Sequence, residues 1–296
     1  MSAPNRAPVA EAMTRKPLDA EIDVHGLTHQ GKVRKSNQDH FLLASVHKRT
    51  VVHGTSVPDL TALPVGEERL AVLALVADGV GGGDGGEEAS RLTVEQVMRY
   101  VTSSMRCYYS VDASEDTFKD ALQEAAMQCH ASLVERRQKD RQTTLATTLT
   151  LWLGVWPWYY LLQVGDSRYY RYLDGELTQI SRDQTVAQEL LDAGVFTRTD
   201  AVSSKWANVL ASAIGGTEAT PVVTRLKSDW RYTHLLCSDG LTKHVPDERI
   251  RERLATMTSA QQACEALVQD ALDDGGTDNV TVIVGRAVPA LQPLAP

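Results

Sequence analysis

An apolar run that ends on an aspartate and then breaks into glycine constrains this chain most strongly. The run Leu70–Ala77 is continuous, and Asp78 follows it with four glycines among the next five residues. A short apolar run bounded by turn signals is typical of a strand buried on both faces. It predicts a rigid strand with the Asp78 carboxylate at its tip, beside glycines that let the backbone approach a ligand. A lone Asp-Gly pair is more often a flexible turn, so the choice depends on the rest of the chain.

The composition excludes several classes of protein. The 296-residue chain is 43% hydrophobic, which allows a substantial core, and its net charge of −8 argues against nucleic-acid binding. Its four cysteines are widely spaced without a zinc-ligand pattern, which favours reduced thiols inside a cell. The sequence has neither a signal-peptide core nor an apolar run of membrane-spanning length. We therefore expect a cytoplasmic protein without a membrane anchor, with a disordered extension over residues 1–20.

Hydrophobic periodicity divides the remainder into helices and strands. Helices are predicted over residues 87–105, 114–137, 247–256 and 259–273. Strands are predicted over residues 22–28 and 41–44, and a last strand begins at Asp278. From Thr143 short strands follow one another closely, which is typical of an antiparallel meander.

Two long connections lack a clear strand pattern. Residues 45–69 contain scattered glycine and proline and are predicted to form an extended surface connection. Residues 181–216 interrupt the strands with one predicted helix, over residues 184–192, followed by a polar stretch. A connection of that length is usually functional, so we expect it to form a flap.

Five aspartates each stand at one end of a predicted strand: Asp39, Asp78, Asp166, Asp239 and Asp278. Any one of them is more often a turn residue than a ligand. Together they predict strand ends that converge on a carboxylate cluster, whose mutual repulsion a divalent cation would relieve. Oxygen ligands without accompanying cysteine or histidine favour Mg²⁺ or Mn²⁺ over zinc.

The motifs RKSNQD, VADGVGG, TTL, GDSR, SRD, CSDG and GGTDN follow one another in this order. In that order they resemble the metal-dependent Ser/Thr protein phosphatases of type 2C, and especially bacterial members. The resemblance covers residues 22–288 and implies one catalytic domain over residues 21–288, followed by a loose tail over residues 289–296. The implied fold is α+β, a four-layer α-β-β-α sandwich of two mostly antiparallel sheets flanked by helix pairs. Residues 181–216 correspond to the family's flap.

The resemblance also implies a role for individual residues. Two Mg²⁺ or Mn²⁺ ions would be held by Asp78, the carbonyl of Gly79, Asp239 and Asp278. Asp39 would lie in direct or water-mediated contact with them. Asp166, together with Asp239, would contribute to the third, weaker metal site found in bacterial relatives.

Arg34 corresponds to the arginine that binds the substrate phosphate, and its planar guanidinium fits two phosphate oxygens at once. Two positions depart from the eukaryotic pattern, with Gln38 in place of glutamate and Val80 in place of histidine. Gln38 also occurs in bacterial members. Val80 cannot donate a proton, so water or a metal-bound water would protonate the leaving group.

The implied reaction is hydrolysis of phosphoserine and phosphothreonine in proteins by a hydroxide that bridges two metal ions. Catalysis would then rest on Arg34, Asp39, Asp78 and Asp239, in a monomer whose partners include a Ser/Thr kinase and its phosphorylated substrates. The alternative is a phosphatase-like module without activity that only binds phosphoproteins or a kinase. The presence of all the core aspartates favours the enzyme. A nucleotide-binding loop at residues 79–86 is excluded because GK[ST] is missing.

Overall fold

A computed structural model describes residues 14–53, 56, 61, 66–81, 84–103, 115–139 and 145–289. The strands are β1 (Ile22–His29), β2 (Asp39–Thr50), β3 (Gly66–Val80), β4 (Ala146–Thr147), β5 (Leu149–Val155), β6 (Trp158–Val164), β7 (Arg168–Leu173), β8 (Glu176–Gln179), β9 (Val222–Lys227), β10 (Thr233–Cys237) and β11 (Val280–Ala287). The α-helices are α1 (Asp84–Ser103), α2 (Glu115–Lys139), α3 (Val186–Asp192), α4 (Arg198–Ser203), α5 (Asp239–Thr242), α6 (Asp247–Thr256) and α7 (Ala260–Asp273).

The strands form two antiparallel sheets. The first sheet has the order β1-β11-β10-β7-β8, and the second has the order β2-β3-β5-β6-β9, with β4 paired to the end of β3. Helices α1 and α2 pack on the second sheet, and α6 and α7 pack on the first. The expected α+β sandwich of four layers is therefore confirmed.

Strand β3 shows why its sequence is apolar without alternation. Leu73 and Leu75 belong to the core under α1 and α2, whereas Ala74 and Val76 belong to the core between the two sheets. Both faces of the strand are thus covered, and all four side chains are buried. The predicted buried strand is confirmed, and it extends over Gly79 and Val80 instead of ending at Ala77.

The predicted meander is wrong at one connection. Strand β6 pairs with β5 and β9 in the second sheet, whereas β7 pairs with β8 and β10 in the first. Residues 165–167 therefore cross from one sheet to the other, and Gly165 makes the bend with a φ of 102°. The short turns between these strands favoured hairpins within one sheet. Local sequence, however, does not specify which sheet receives the next strand.

The predicted surface connection over residues 45–69 is partly strand. Strands β2 and β3 form a long hairpin whose register runs from the pair Asp39 and Asp78 to the pair Thr50 and Gly66. Of the predicted connection, residues 54–55, 57–60 and 62–65 lie outside the described residues. Elsewhere, α4 and α5 are helices that the sequence did not predict, and β11 begins two residues after Asp278.

The structure describes only part of the predicted N-terminal extension and of the predicted C-terminal tail. Residues 1–13 and 290–296 lie outside the described residues. Residues 14–20, which the sequence assigned to a disordered extension, instead pack on the domain. Arg15 forms a 2.6 Å ion pair with Glu21, and the Trp230 indole N–H donates to the Arg15 carbonyl at 2.7 Å. Within the described part of the chain, none of the helices has the length and apolar character needed to cross a bilayer.

Candidate metal centre

The fold brings the five singled-out aspartates to one end of the sandwich. Asp39 opens β2 and stands opposite Asp78 in the β2–β3 register. Asp239 opens α5 directly after β10, Asp278 precedes the neighbouring strand β11, and Asp166 lies on the crossover between the sheets. Two sheets therefore deliver carboxylates to the same place.

These carboxylates lie close enough to affect one another. Burial raises the pKa of Asp78 well above its usual value, and the charges of the other four aspartates raise it further. Burial also raises the pKa of Asp39 to about 6, although hydrogen bonds from Ser238 and Thr281 act in the opposite direction. The cluster is therefore short of positive charge at its buried side.

The carboxylate of Asp39 is held rigidly on one side only. Its Oδ2 accepts hydrogen bonds from Ser238 Oγ and Thr281 Oγ1, both at 2.7 Å. Its Oδ1 is buried and has no hydrogen-bond partner. A buried carboxylate oxygen without a donor is costly, so its environment fits a cation that the protein atoms do not supply.

At the outer side of the cluster two basic side chains contact the aspartates. Arg34 contacts Asp278 through Nε to Oδ1 at 2.7 Å and through Nη2 to Oδ2 at 2.8 Å. Lys243 Nζ lies 2.5 Å from Asp239 Oδ2 and 2.8 Å from Asp278 Oδ2. Burial acts to raise the pKa of Asp278, but Arg34 and Lys243 outweigh it and hold that pKa below its usual value. The Arg34 side chain is 48% exposed and so remains open to a ligand from solvent.

Asn279 anchors the loop that carries Arg34. Its Oδ1 accepts from the Gln38 backbone N–H at 2.9 Å, and its Nδ2 donates to the carbonyls of Gln30 and Ser36 at 2.8 and 2.9 Å. Gln30 Nε2 in turn donates to the Arg34 carbonyl at 2.7 Å. Sequence reasoning missed Asn279, although its place in the TDN motif directly after Asp278 was the available signal.

Two glycines beside the aspartates are required by backbone packing. A Cβ on Gly79 would lie 2.4 Å from the backbone carbon and oxygen of Gly86, at the start of α1. A Cβ on Gly240 would lie 1.8 Å from the carbonyl oxygen of Asn279. The sequence predicted that the glycines after Asp78 would let the backbone approach a ligand, and at Gly79 the structure shows in addition a close approach between two parts of the chain.

Asp166 occupies a separate, buried corner of the cluster. Burial, followed by the charges of Asp239 and Asp183, raises its pKa to about 7, and the charge of Lys243 opposes this rise. The adjacent crossover is tied to the start of the flap by Arg168, whose Nε lies 3.0 Å from both carboxylate oxygens of Asp183 and whose Nη2 lies 2.7 Å from Oδ2.

The chemistry of this donor set fits divalent cations such as Mg²⁺ and Mn²⁺. Its side-chain donors are carboxylate oxygens, the ligands that hard cations prefer. Among the described residues no three acidic, histidine or cysteine side chains are preset around one point. Two of the candidate carboxylates, those of Asp239 and Asp278, face Lys243 and Arg34 instead. A cation bound here would share the two carboxylates with these basic groups.

Comparisons with known proteins indicate the family to which this chain belongs. The family described as "Protein phosphatase 2C" matches residues 50–274. The Ser/Thr protein phosphatase PstP of Mycobacterium tuberculosis is 34% identical over 219 residues, which make up 74% of this chain and 41% of PstP. The Ser/Thr phosphatase stp of Listeria monocytogenes is 28% identical over 217 residues, 72% of this chain and 83% of stp.

A solved structure shows the same fold. The catalytic domain of PstP, in complex with two manganese ions, superposes with a TM-score of 0.69 at 28% identity over 90% of this chain and 99% of that domain. This chain spans only about two-fifths of the length of M. tuberculosis PstP, because the match covers 41% of it. On the family match and these likenesses, the chain belongs to the protein phosphatase 2C family.

Proposed function

We propose that this chain is a metal-dependent phosphatase that hydrolyses phosphoserine and phosphothreonine in proteins. The observation that carries the proposal is the carboxylate cluster at one end of the sandwich, with the half-exposed Arg34 at its mouth. Membership of the family and the 34% identity to a named Ser/Thr protein phosphatase support it. Its substrates would be phosphorylated proteins, including a Ser/Thr kinase, and it would act as a monomer.

In this proposal Asp78, the carbonyl of Gly79, Asp239 and Asp278 hold two Mg²⁺ or Mn²⁺ ions, with Asp39 beside them. When bound, the ions would supply an activated water and offset the charge that develops on the phosphoryl oxygens. The raised pKa of Asp78 and the buried Oδ1 of Asp39, which has no hydrogen-bond partner, support this role, because a cation would favour the charged form of both carboxylates.

Arg34 binds the phosphate in this proposal. Its guanidinium can form two parallel hydrogen bonds to phosphate oxygens, and its loop is fixed by Asn279, so little ordering is needed on binding. Asn279 is thereby a positioning residue for Arg34. Val80 ends β3 and has no side-chain group that can donate a proton, so water protonates the leaving serine or threonine oxygen.

The test is hydrolysis of a phosphothreonine peptide by purified protein with Mn²⁺, with Mg²⁺ and with EDTA. We expect metal-dependent turnover that falls at least about a hundredfold in Asp78→Asn and Asp239→Asn, because each change removes a charged ligand. The matched control is Asp273→Asn on α7, whose carboxylate accepts a hydrogen bond from Gln269 one turn earlier on the same helix.

Two outcomes would contradict the proposal. Full activity in EDTA would exclude metal-dependent catalysis. A folded protein that binds Mn²⁺ but hydrolyses neither the peptide nor p-nitrophenyl phosphate would favour the inactive, phosphoprotein-binding module instead.

A further inference from the structure

Lys243 is a basic residue inside the acidic cluster that the sequence analysis did not single out. Its Nζ contacts Asp239 Oδ2 at 2.5 Å and Asp278 Oδ2 at 2.8 Å, so one ammonium group bridges two proposed metal ligands. It also acts electrostatically on the buried Asp166. In the described part of the chain, no other residue forms ion pairs with both Asp239 and Asp278.

The backbone fixes Lys243 in this place. Its N–H donates to the Asp239 carbonyl at 2.8 Å, which closes the short helix α5 and sets the two residues four apart on one side of it. Gly240, which follows Asp239, packs against the Asn279 backbone and holds α5 against the start of β11. The Lys243 side chain is only 30% exposed, and its ammonium therefore stays among the carboxylates instead of extending into solvent.

This position borders the expected site of a third ion, because Lys243 contacts Asp239 and its charge acts on Asp166. The resemblance to bacterial phosphatases implies a weaker metal site that shares Asp239 and adds Asp166. A divalent ion there would share the Asp239 carboxylate with the Lys243 ammonium and would be repelled by it at short range. Hard cations bind where carboxylate charge is in excess, and Lys243 removes part of that excess at this corner.

We propose that Lys243 takes the place of the third cation at Asp166 and Asp239, so that this protein binds two divalent ions and not three. The proposal rests on the proposed two-ion centre. An attached ammonium supplies positive charge at this corner at any metal concentration, whereas a weakly bound ion would supply it only when metal is abundant. Lys243 is thus a positioning residue for Asp239, and the two core ions remain the catalytic ones.

The test counts bound ions independently of activity. Equilibrium dialysis at saturating Mn²⁺ gives the stoichiometry, and anomalous scattering at the manganese edge from crystals locates each ion. Lys243→Met removes the charge and keeps most of the aliphatic stem, whereas Lys243→Arg keeps the charge. The matched control is Lys139→Met, which removes a lysine from another pair four residues apart, 2.7 Å from Glu135 on the distant helix α2.

We expect two ions in the wild type, in Lys243→Arg and in Lys139→Met, and three ions in Lys243→Met. The third ion should lie against Asp166 and disappear in the double variant Lys243→Met, Asp166→Asn. Asp166→Asn alone should leave two ions, because Asp166 holds none while Lys243 is present.

Several results would overturn the inference. Three ions in the wild type would overturn it even if the Lys243 variants failed to fold. Two ions in a folded Lys243→Met variant that also binds inorganic phosphate more weakly would make Lys243 a phosphate ligand instead. No bound metal in any variant would refute the proposed two-ion centre as well, whereas two ions in both the wild type and Lys243→Met would refute the Lys243 proposal alone.

Discussion

Replacing His234 should make the protein less sensitive to acid. His234 lies on β10 between the two sheets, with its Nδ1 2.7 Å from the Tyr169 hydroxyl. The rings of Trp152, Tyr159 and Tyr232 also lie next to it, with centroids 5.1, 5.5 and 6.2 Å away. Burial, helped by the positive charge of Arg171, lowers the pKa of His234 to about 3. The folded protein therefore keeps this imidazole neutral where an unfolded chain protonates it.

The size of the effect follows from this shift. Below a pH of about 6.5 the unfolded chain binds one more proton than the folded protein, so stability falls as the pH is lowered and the loss is complete near pH 3. Between pH 7 and pH 5 the loss amounts to about 2 kcal/mol, from the ratio of the two protonation curves. In metal-free protein, the raised pKa values of Asp39 and Asp166 act in the opposite sense, since acidification neutralises their repulsion.

The assay is urea unfolding of wild type and His234→Phe at pH 7 and pH 5, in EDTA. The phenylalanine ring keeps the aromatic packing and cannot take up a proton. The aspartates contribute equally to both proteins, so the difference between them isolates His234. We expect wild type to lose about 2 kcal/mol more than the variant between the two pH values. An exposed histidine, His53, replaced by phenylalanine serves as control. Parallel pH dependence in wild type and His234→Phe would refute the reasoning.

Two further predictions concern residues that hold the site together. Asp183→Asn removes the charge that Arg168 contacts three times and should lower the free energy of unfolding by about 1 to 3 kcal/mol. The loss is smaller than for a fully buried pair because both side chains are partly exposed, and an unchanged urea midpoint would contradict it. Gly240→Ala places a methyl group 1.8 Å from the Asn279 carbonyl oxygen, which is backbone and cannot yield, so we expect a loss of about 3 kcal/mol in thermal unfolding. Gly86→Ala, whose methyl group would lie 3.1 Å from both the Gln38 side chain and the Gly79 backbone carbon, should be milder because these contacts are longer, and equal losses would contradict the steric argument.

Much of the fold could be predicted because its signals are local. Helix α6 has the predicted bounds, α7 begins one residue later than predicted, and α1 and α2 differ from theirs by two or three residues at the ends that the structure describes, since their apolar positions recur with helical spacing. Residues 104, 105 and 114 of the predicted helices lie outside the described residues. The buried character of β3 follows from a continuous apolar run. The order of the motifs along the chain was enough to indicate the family, because each motif is short and independent of the contacts it makes.

Other features depend on contacts between distant parts of the chain. Asp39 receives hydrogen bonds from Ser238 and Thr281, which are 199 and 242 residues away. The Asn279 side chain holds a loop near the other end of the chain. Nothing in the local sequence of either region specifies these partners.

The sequence by itself therefore determined which residue types stand at the strand ends and where the longer helices and the buried strand β3 lie, because these properties follow from local side-chain spacing and chemistry. Only the tertiary structure decided that the chain changes sheets between β6 and β7, and that Lys243 lies between Asp239 and Asp278. A strand has the same apolar pattern in either sheet. Likewise, a lysine four residues after an aspartate does not by itself reveal a second ion-pair partner. The fold supplies that partner here, because it brings the Asp278 carboxylate, just before β11, beside Lys243.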